Sequence, residues 1–566
     1  MNAFILLLLG MIIFFMAYIT YGSYLAKKWG VDPGRKTPAH TRPDGRDYVP
    51  TDAKVLLGHH FSSIAGAGPI TGPIIATMFG WLPVYLWIIF GCVFFGGVHD
   101  YGSLLASLRH EGKSIGEVIR SNVSQKGKIM FTLYAFITIC LVVAAFLDIT
   151  AGTFAVNVQT VGNIDAIDLA EKQKAAAGTA SMLFIVLALL FGFLVYRRGV
   201  NVTVSTVIGV VLLAAVVFLA DKFPFLALTK VHWQIILVIY IICASLLPVW
   251  ILLQPRDYLS SFLLYAMVAG GVVGLIIMRP SVQMSAFNGF LPSAGNYLFP
   301  ILFITVACGA ISGFHSLVSS GTSAKQLNSE KDAKLVGYGA MLIEGIVAIV
   351  ALMSVAAIAG NTEGTPAARF ALGVATFMNS FGIPMGLGQT FVTLAFASFT
   401  LTSLDSATRI GRYLVQELGE YYTEDGRTVK TVFTNPYLAT GITVAISLGF
   451  TLYGYERIWP IFGSANQLLA GLSLLAVAAW IKNTQKRNSW ETIIPLVFMF
   501  AVTLSALCLV VYTNVMKATF DGYVLAAIAA IMIILAVIEL FITGQWARGL
   551  SKKEAASNPN DPIKNK

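Results

Sequence analysis

Ionisable side chains are scarce in this chain, and several fall where they cost most. Only 12% of its 566 residues are charged, and it has seven histidines. His59, His60, His99 and His315, with the carboxylates Asp100, Asp148, Glu344, Asp405 and Glu539, lie inside long apolar runs. A group that can ionise at membrane depth is expensive to keep there, so each marks a function or a buried partner. His59 and His60 precede the glycine-rich stretch 66–73, and His315 directly follows a second one at 309–314. Imidazole and carboxyl groups shut away from water can trade a proton, and imidazole does so near neutral pH. His99, Asp100 and Glu344 are therefore expected to serve proton coupling, with Glu344 roughly 16 Å into its helix. One such histidine often does no more than donate to a carbonyl freed by a helix break. Four together favour a functional role for at least one.

A metal centre is the competing chemistry. His59, His99 and His315 are its weak candidates, with His60 and Asp100 beside them. Adjacent His59 and His60 diverge by about 100° on a helix, however, and no HxxxH or CxxC spacing accompanies them. The cysteines (Cys92, Cys140, Cys243, Cys308 and Cys508) are scattered singly through apolar runs, which argues against a disulfide framework. No cofactor is expected beyond a coupling cation, H+ or Na+. In "FTLTSLDSATR" (399–409), Thr400, Thr402 and Ser403 offer hydroxyl oxygens to a hard cation beside carbonyls of the 66–70 stretch. The alternative is that they bond back to carbonyls one turn earlier. Asp405 and Arg409 are spaced i, i+4 for an ion pair, either gate or anchor. Glu539 is expected at an interface.

These groups need elements to hold them. The chain is 57% hydrophobic, and apolar runs of about 20 residues recur throughout, each able to cross about 30 Å of hydrocarbon. The runs predict about fifteen transmembrane helices at 4–26, 55–78, 82–108, 128–156, 179–196, 201–220, 231–252, 256–279, 297–322, 333–359, 384–408, 434–454, 459–482, 490–513 and 521–543. A short re-entrant helix within 364–383 would make sixteen. With the N-terminus outside and the C-terminus cytoplasmic, the cytoplasmic loops hold 30 of the 38 basic residues and the opposite loops eight. That bias is the positive-inside pattern, so the net charge of +10 reports topology and gives no support for nucleic-acid binding. The first run is too long for a signal-peptide core and is read as a retained span. Trp81, Trp87, Trp233, Trp250 and Trp459 stand near span ends and fit an interfacial belt.

Two spans are interrupted, by "GAGPITGP" (66–73) and "GAISGF" (309–314). Each opens a series of five spans, 55–220 and 297–482. Five is odd, so the second series is inverted relative to the first. Residues 1–54 supply a first helix and basic loop, 221–296 a two-helix insertion, and 483–566 two further helices and a polar tail. Non-helical backbone at membrane depth is tolerated where it is buried in protein or lines a cavity, and paired broken helices mark transporter binding sites. The expected substrate site is Gly66, Ala67, Gly68, Pro69 and Gly72 with Gly309, Ser312 and Gly313, flanked by His59 and His315. Glycines that merely let helices pack closely are the alternative.

Four segments also resemble the carbon starvation protein A (CstA) family: "GHHFSSIAGAGPITGPIIATMFGWLP" (58–83), "HDYGSLLASLRHEGKSIGEVI" (99–119), "ACGAISGFHSLVSSGTSAKQLNSEKDAKLVGYGAMLIEG" (307–345) and "LTSLDSATRIGRYLVQE" (401–417). The likeness runs from the N-terminus to about residue 545. It implies a bacterial inner-membrane nutrient importer of peptides in starvation, with some members importing pyruvate with protons. It also implies the amino-acid/polyamine/cation superfamily fold, a five-plus-five inverted repeat with a broken first helix in each half. In that superfamily the hydroxyls at Thr400, Thr402 and Ser403 would pair with the first break as a sodium site. The expected function is secondary-active import of small peptides, whose ammonium and carboxylate suit opposed half-helix ends; proton–pyruvate symport is the alternative. The paired breaks disfavour a channel, and a membrane-embedded enzyme is disfavoured because no nucleophile elbow, HExxH or P-loop is present. The expected partners are thus a small peptide or pyruvate and the lipid bilayer.

Overall fold

The structure is a computed structural model that describes residues 2–547 apart from 46, 158–168, 195–197, 199–200, 249–250, 294, 359, 361–362 and 423–427. Backbone polar groups in hydrocarbon must be satisfied within their own segment, and the described chain is helical almost throughout. One two-stranded ribbon pairs Glu420–Tyr422 with Thr428–Lys430. Among the described residues twelve helices are long and apolar enough to cross a membrane, and three shorter apolar helices accompany them. The chain is a multi-span membrane protein.

Helix α1 (Ala3–Ile19) is capped by the Asn2 side chain and is followed at Thr20 by α2 (Tyr21–Lys28). A basic loop containing α3 (Pro38–Thr41) leads to α4 (Ala53–Ile64), which the Asp52 carboxylate caps. The chain then leaves helical hydrogen bonding at Ala65–Ala67 and resumes as α5 (Gly68–Ala76). Gly80, at φ 90°, turns it into α6 (Trp81–Phe90), which runs through a wider π-type turn into α7 (Gly97–Arg109). Short α8 (Ile115–Asn122) and long α9 (Gln125–Phe154) start at serine caps, Ser114 and Ser124. They are followed by α10 (Leu169–Gly192), α11 (Val202–Lys222), α12 (Lys230–Leu246) and α13 (Leu253–Met278).

The second interrupted segment is α14 (Phe303–Val306), a tight turn, then α15 (Gly313–Val318) and α16 (Ala324–Gln326). Ala307 sits there at φ 44°, a left-handed conformation unfavourable for alanine. Beyond it lie α17 (Ala340–Ala356), α18 (Pro366–Asn379), α19 (Met385–Leu418) and α20 (Pro436–Thr451). The last three are α21 (Tyr455–Gln485), α22 (Trp490–Met516) and α23 (Phe520–Ala547). The possible helix within 364–383 is thus α18. The C-terminal tail and Trp250 fall outside the described residues.

Three expectations need correcting. The first break is shorter than 66–73: Pro69 occupies the opening turn of α5, where its missing N–H has no helical partner to lose. The second is centred on Ala310–Ser312, with Gly313 already helical. The tryptophans do not form a belt, because Trp81, Trp87, Trp233 and Trp459 are all buried in the protein. Trp87 packs on Phe303 at 4.8 Å and Trp233 on Phe154 at 4.9 Å.

The two breaks touch. A Cβ on Gly68 would lie 2.6 Å from Cys308 Sγ, and one on Gly72 would lie 2.4 Å from the Val306 carbonyl oxygen. Glycine is what lets these backbones meet. On the far side of α5 the loop after α13 covers the turn at Gly80. Trp81 N–H donates to the Ser285 carbonyl at 3.2 Å, and Asn288 N–H donates to the Phe79 carbonyl at 3.1 Å.

Candidate functional site

Four buried ionisable groups from three helices form a line beside the breaks. His99 Nδ1 and Asp100 Oδ1, neighbours on α7, are 2.6 Å apart. Asp100 Oδ2 is 2.9 Å from Nδ1 of His315 on α15. His315 Nε2 in turn faces Glu344 Oε2 of α17 at 3.5 Å. All four side chains are shut from solvent. One carboxylate therefore holds two imidazoles by Nδ1; among the described residues neither Nε2 makes a hydrogen bond, and that of His315 points at an acid whose oxygens make none. His60 on α4 adds a third imidazole nearby, joined through Nδ1 to Ser323 Oγ at 2.7 Å.

Local packing puts these groups there. A Cβ on Gly96 would lie 2.5 Å from the Ala310 carbonyl oxygen, so the π-type turn leading into α7 lies directly on the second break. A Cβ on Gly313 would lie 2.3 Å from the Asn466 carbonyl oxygen, which seats α15 on α21. Asn466 then caps the reopened helix: its Oδ1 accepts from Phe314 N–H at 2.9 Å and its Nδ2 donates to Ser312 Oγ at 3.0 Å. Cys92 Sγ donates to the Gly309 carbonyl at 3.2 Å. Polar backbone freed by the break is thus answered by protein, as a low-dielectric site requires.

A second network centres on Arg256, in the first turn of α13. Its guanidinium grips Asp405 of α19 through Nη1 to Oδ2 and through Nη2 to Oδ1, the latter at 3.1 Å. Nη2 also donates to Asp257 Oδ1 at 2.7 Å, and Tyr240 of α12 donates to Asp405 Oδ2 at 2.8 Å. The expected Asp405–Arg409 pair does not form. Arg409 turns to the open C-terminal end of α12 and donates from Nη2 to the Ala244 and Leu247 carbonyls, each at 2.6 Å. Sequence reasoning missed Arg256, Asp257 and Tyr240. The available signal was "QPRDYL" (254–259), an adjacent acid and base behind a helix-starting proline.

The other candidates separate. His59 Nδ1 is 3.3 Å from Asp257 Oδ2, so it joins the Arg256 network rather than His99 and His315. Among the described residues no group of three or more His, Cys, Asp or Glu side chains could hold a metal ion. Thr400 and Thr402 donate to the Ala397 and Ser398 carbonyls of their own helix, each at 2.9 Å. Ser403 alone reaches across, donating to the Ser63 carbonyl at 3.1 Å. Gly66, Ala67, Gly68, Pro69, Gly72, Gly309, Ser312 and Gly313 are all buried. A cleft near the first break is bounded by α4, the helices after the second break, and α19.

Three further carboxylates lie apart from both networks. Asp148 pairs with Lys230 at 2.7 Å and accepts from Tyr455 N–H at 3.0 Å. Glu539 is buried, and neither oxygen has a hydrogen-bond partner among the described residues. Near the basic loops, burial works against the charged form of Glu117. Lys128 and Arg120 outweigh it and hold the carboxyl below its ordinary range.

The family model described as "Carbon starvation protein CstA" matches residues 2–363 and 358–506. The chain belongs to the CstA family. This CstA-family chain is 34% identical to the peptide transporter CstA of Campylobacter jejuni, over 89% of its own length and 79% of that protein's. It is 32% identical to the pyruvate/proton symporter BtsT of Escherichia coli, over 89% and 81% of the two chains. Among solved structures, the Eremococcus coleocola manganese transporter aligns with 89% of this chain and 99% of its own, at 11% identity and a TM-score of 0.48.

Proposed function

We propose that this chain imports small peptides across the bacterial inner membrane as a proton-coupled secondary transporter working by alternating access. The observation that carries the coupling is the buried line from His99 through Asp100 and His315 to Glu344, packed on the second break. A chain of imidazoles and carboxylates at membrane depth is the usual proton relay of pumps and transporters. The substrate would be held where Gly66, Ala67, Gly68, Pro69 and Gly72 meet Gly309, Ser312 and Gly313, once the two helices part. Support for that site comes from the contact between the breaks and from the names of the relatives. The layout in this reading is two inverted five-helix series, 55–220 and 297–482, with the N-terminus outside and the C-terminus cytoplasmic. Ser403, hydrogen-bonded to α4 beside the first break, keeps sodium as an alternative coupling ion, with Thr400 and Thr402 as companions.

Pyruvate is the second substrate reading, favoured by the name of the Escherichia coli relative and by the cationic side chains of the cleft. Uptake of labelled dialanine and labelled pyruvate into proteoliposomes, with an imposed pH or sodium gradient, separates these alternatives. Accumulation against a gradient is expected for one acid, driven by protons. Accumulation that persists in each single replacement of His99, Asp100, His315 and Glu344 would remove the relay.

A further inference from the structure

The cleft beside the breaks has two cations and few counter-charges. Lys325, one residue into α16, stands over the ring of Tyr413 at 5.7 Å and that of Tyr48 at 5.6 Å. Arg409 is 5% exposed. Its guanidinium is fixed by the two carbonyls at the end of α12, and among the described residues Nε–H has no acceptor. Among the described residues neither cation pairs with a carboxylate. The remaining charge-bearing side chains on the cleft wall are Asp47 and His59, and His59 already faces Asp257. A guanidinium locked in place by backbone keeps its donors oriented before a ligand arrives, and a carboxylate is the ligand its shape matches. A buried guanidinium with an unpartnered Nε–H is otherwise costly.

We propose that this cleft binds the carboxylate of the transported solute, with Arg409 and Lys325 as its anchors, on the cytoplasmic side of the breaks. The assignment rests on the transport reading and adds a subsite to it. The cleft is where a solute released from the breaks would emerge, since His59 and Ser63 stand within two turns of the first break. Both solutes under consideration carry a carboxylate, so the shared chemistry is the acid itself.

The test is equilibrium binding to the purified full chain in detergent, using two acid–neutral pairs: dialanine with its C-terminal amide, and pyruvate with its methyl ester. The acid of one pair should bind at least about tenfold more tightly than its neutral partner. Lys325→Met and Arg409→Gln should each erode that preference, and Arg409→Lys should restore part of it. Lys325→Met keeps the test valid if Arg409→Gln fails to fold. Equal binding of acid and neutral partner, or an acid preference unchanged in both variants, overturns the subsite. If proteoliposome uptake persists in that case, the transport reading stands without it. If neither acid binds the wild type nor is taken up, both fall.

Discussion

Nδ1 of His315 and Oδ2 of Asp100 meet at 2.9 Å across two helices, in a place that water does not reach. The second oxygen of the same carboxylate holds His99 at 2.6 Å. One acid thus sets the orientation of both rings, and this fixes which nitrogen of His315 faces Glu344. In the proposed relay this site would hold a proton without moving backbone. Release would need the break, because His315 is the third residue of the helix that restarts there.

Asp100→Asn tests that arrangement. An amide cannot accept from two Nδ1–H groups through equivalent oxygens, so one ring loses its partner. Breaking a buried charged pair costs about 3–5 kcal/mol, and thermal stability should fall measurably. Proton-driven uptake should drop by about two orders of magnitude if the relay is lost. Unaltered gradient-driven accumulation would exclude Asp100 from coupling.

Glu344→Gln should behave differently. Among the described residues neither Glu344 oxygen makes a hydrogen bond, and Oε2 faces His315 Nε2 only at 3.5 Å, so the replacement removes one long contact and the melting temperature should stay close to wild type. Counterflow, which needs no net proton movement, should persist while accumulation against a pH gradient disappears. Loss of both activities would make Glu344 part of substrate binding or of the fold.

The Arg256–Asp405 pair calls for a double-mutant cycle. Removing either partner strands a buried charge, at about 3–5 kcal/mol, whereas Arg256→Met with Asp405→Leu removes both charges together. The double variant should be more stable than the sum of the single losses. Strict additivity in thermal unfolding would mean that the two groups do not depend on one another. Asp257 and Tyr240 complicate the cycle by keeping partners for Arg256 and Asp405 in the single variants. The coupling is therefore expected at the lower end of that range.

Acid sensitivity should report on Glu117. Its folded carboxyl is held below the ordinary value of 4.5 by Lys128 and Arg120 against the opposing effect of burial. A depressed folded pKa stabilises fully above the unfolded value and loses that stabilisation as pH falls through the folded one. Thermal unfolding followed downward from pH 6 should therefore steepen below about 4.5 in the wild type and flatten in Glu117→Gln. Parallel acid limbs would show that the pair with Lys128 contributes nothing.

The buried cluster of titratable groups was legible in the sequence for a simple reason. Apolar surroundings make His99, Asp100, His315 and Glu344 conspicuous, and lipid leaves few explanations for a charge. Arg256 stayed hidden because it stands at the start of an apolar run, where a basic residue already counts as a loop charge. Its burial depends on α12 and α19 closing around it, which no local pattern encodes. The breaks were found through glycine and proline, but their limits were misjudged because Pro69 begins a helix as readily as it ends one. The tryptophans misled for a related reason. Position near a span end says nothing about which face of the helix meets lipid. Arg409 was paired with Asp405 on helical spacing alone, and a neighbouring helix end offered it two carbonyls instead.

Gly72 offers a test of whether the breaks must part. Its absent Cβ would sit 2.4 Å from the Val306 carbonyl oxygen and 2.6 Å from that of Thr305, both backbone atoms that cannot rotate away. Gly72→Ala must push α5 from the second break, and overpacking of this kind costs about 1–3 kcal/mol. Gly152→Ala, on α9 with nothing within 4 Å of its absent Cβ, is the matched control. If transport alternates between a state in which the breaks touch and one in which they separate, the Gly72 variant shifts the balance toward separation. A loss of 2 kcal/mol in the closed state alone moves that equilibrium about thirtyfold. Cysteine pairs placed on either side of the contact should cross-link less in Gly72→Ala than in Gly152→Ala, and uptake should slow in the first variant only. Equal cross-linking and equal uptake would mean that the contact between the breaks is not a closed state of the transport cycle.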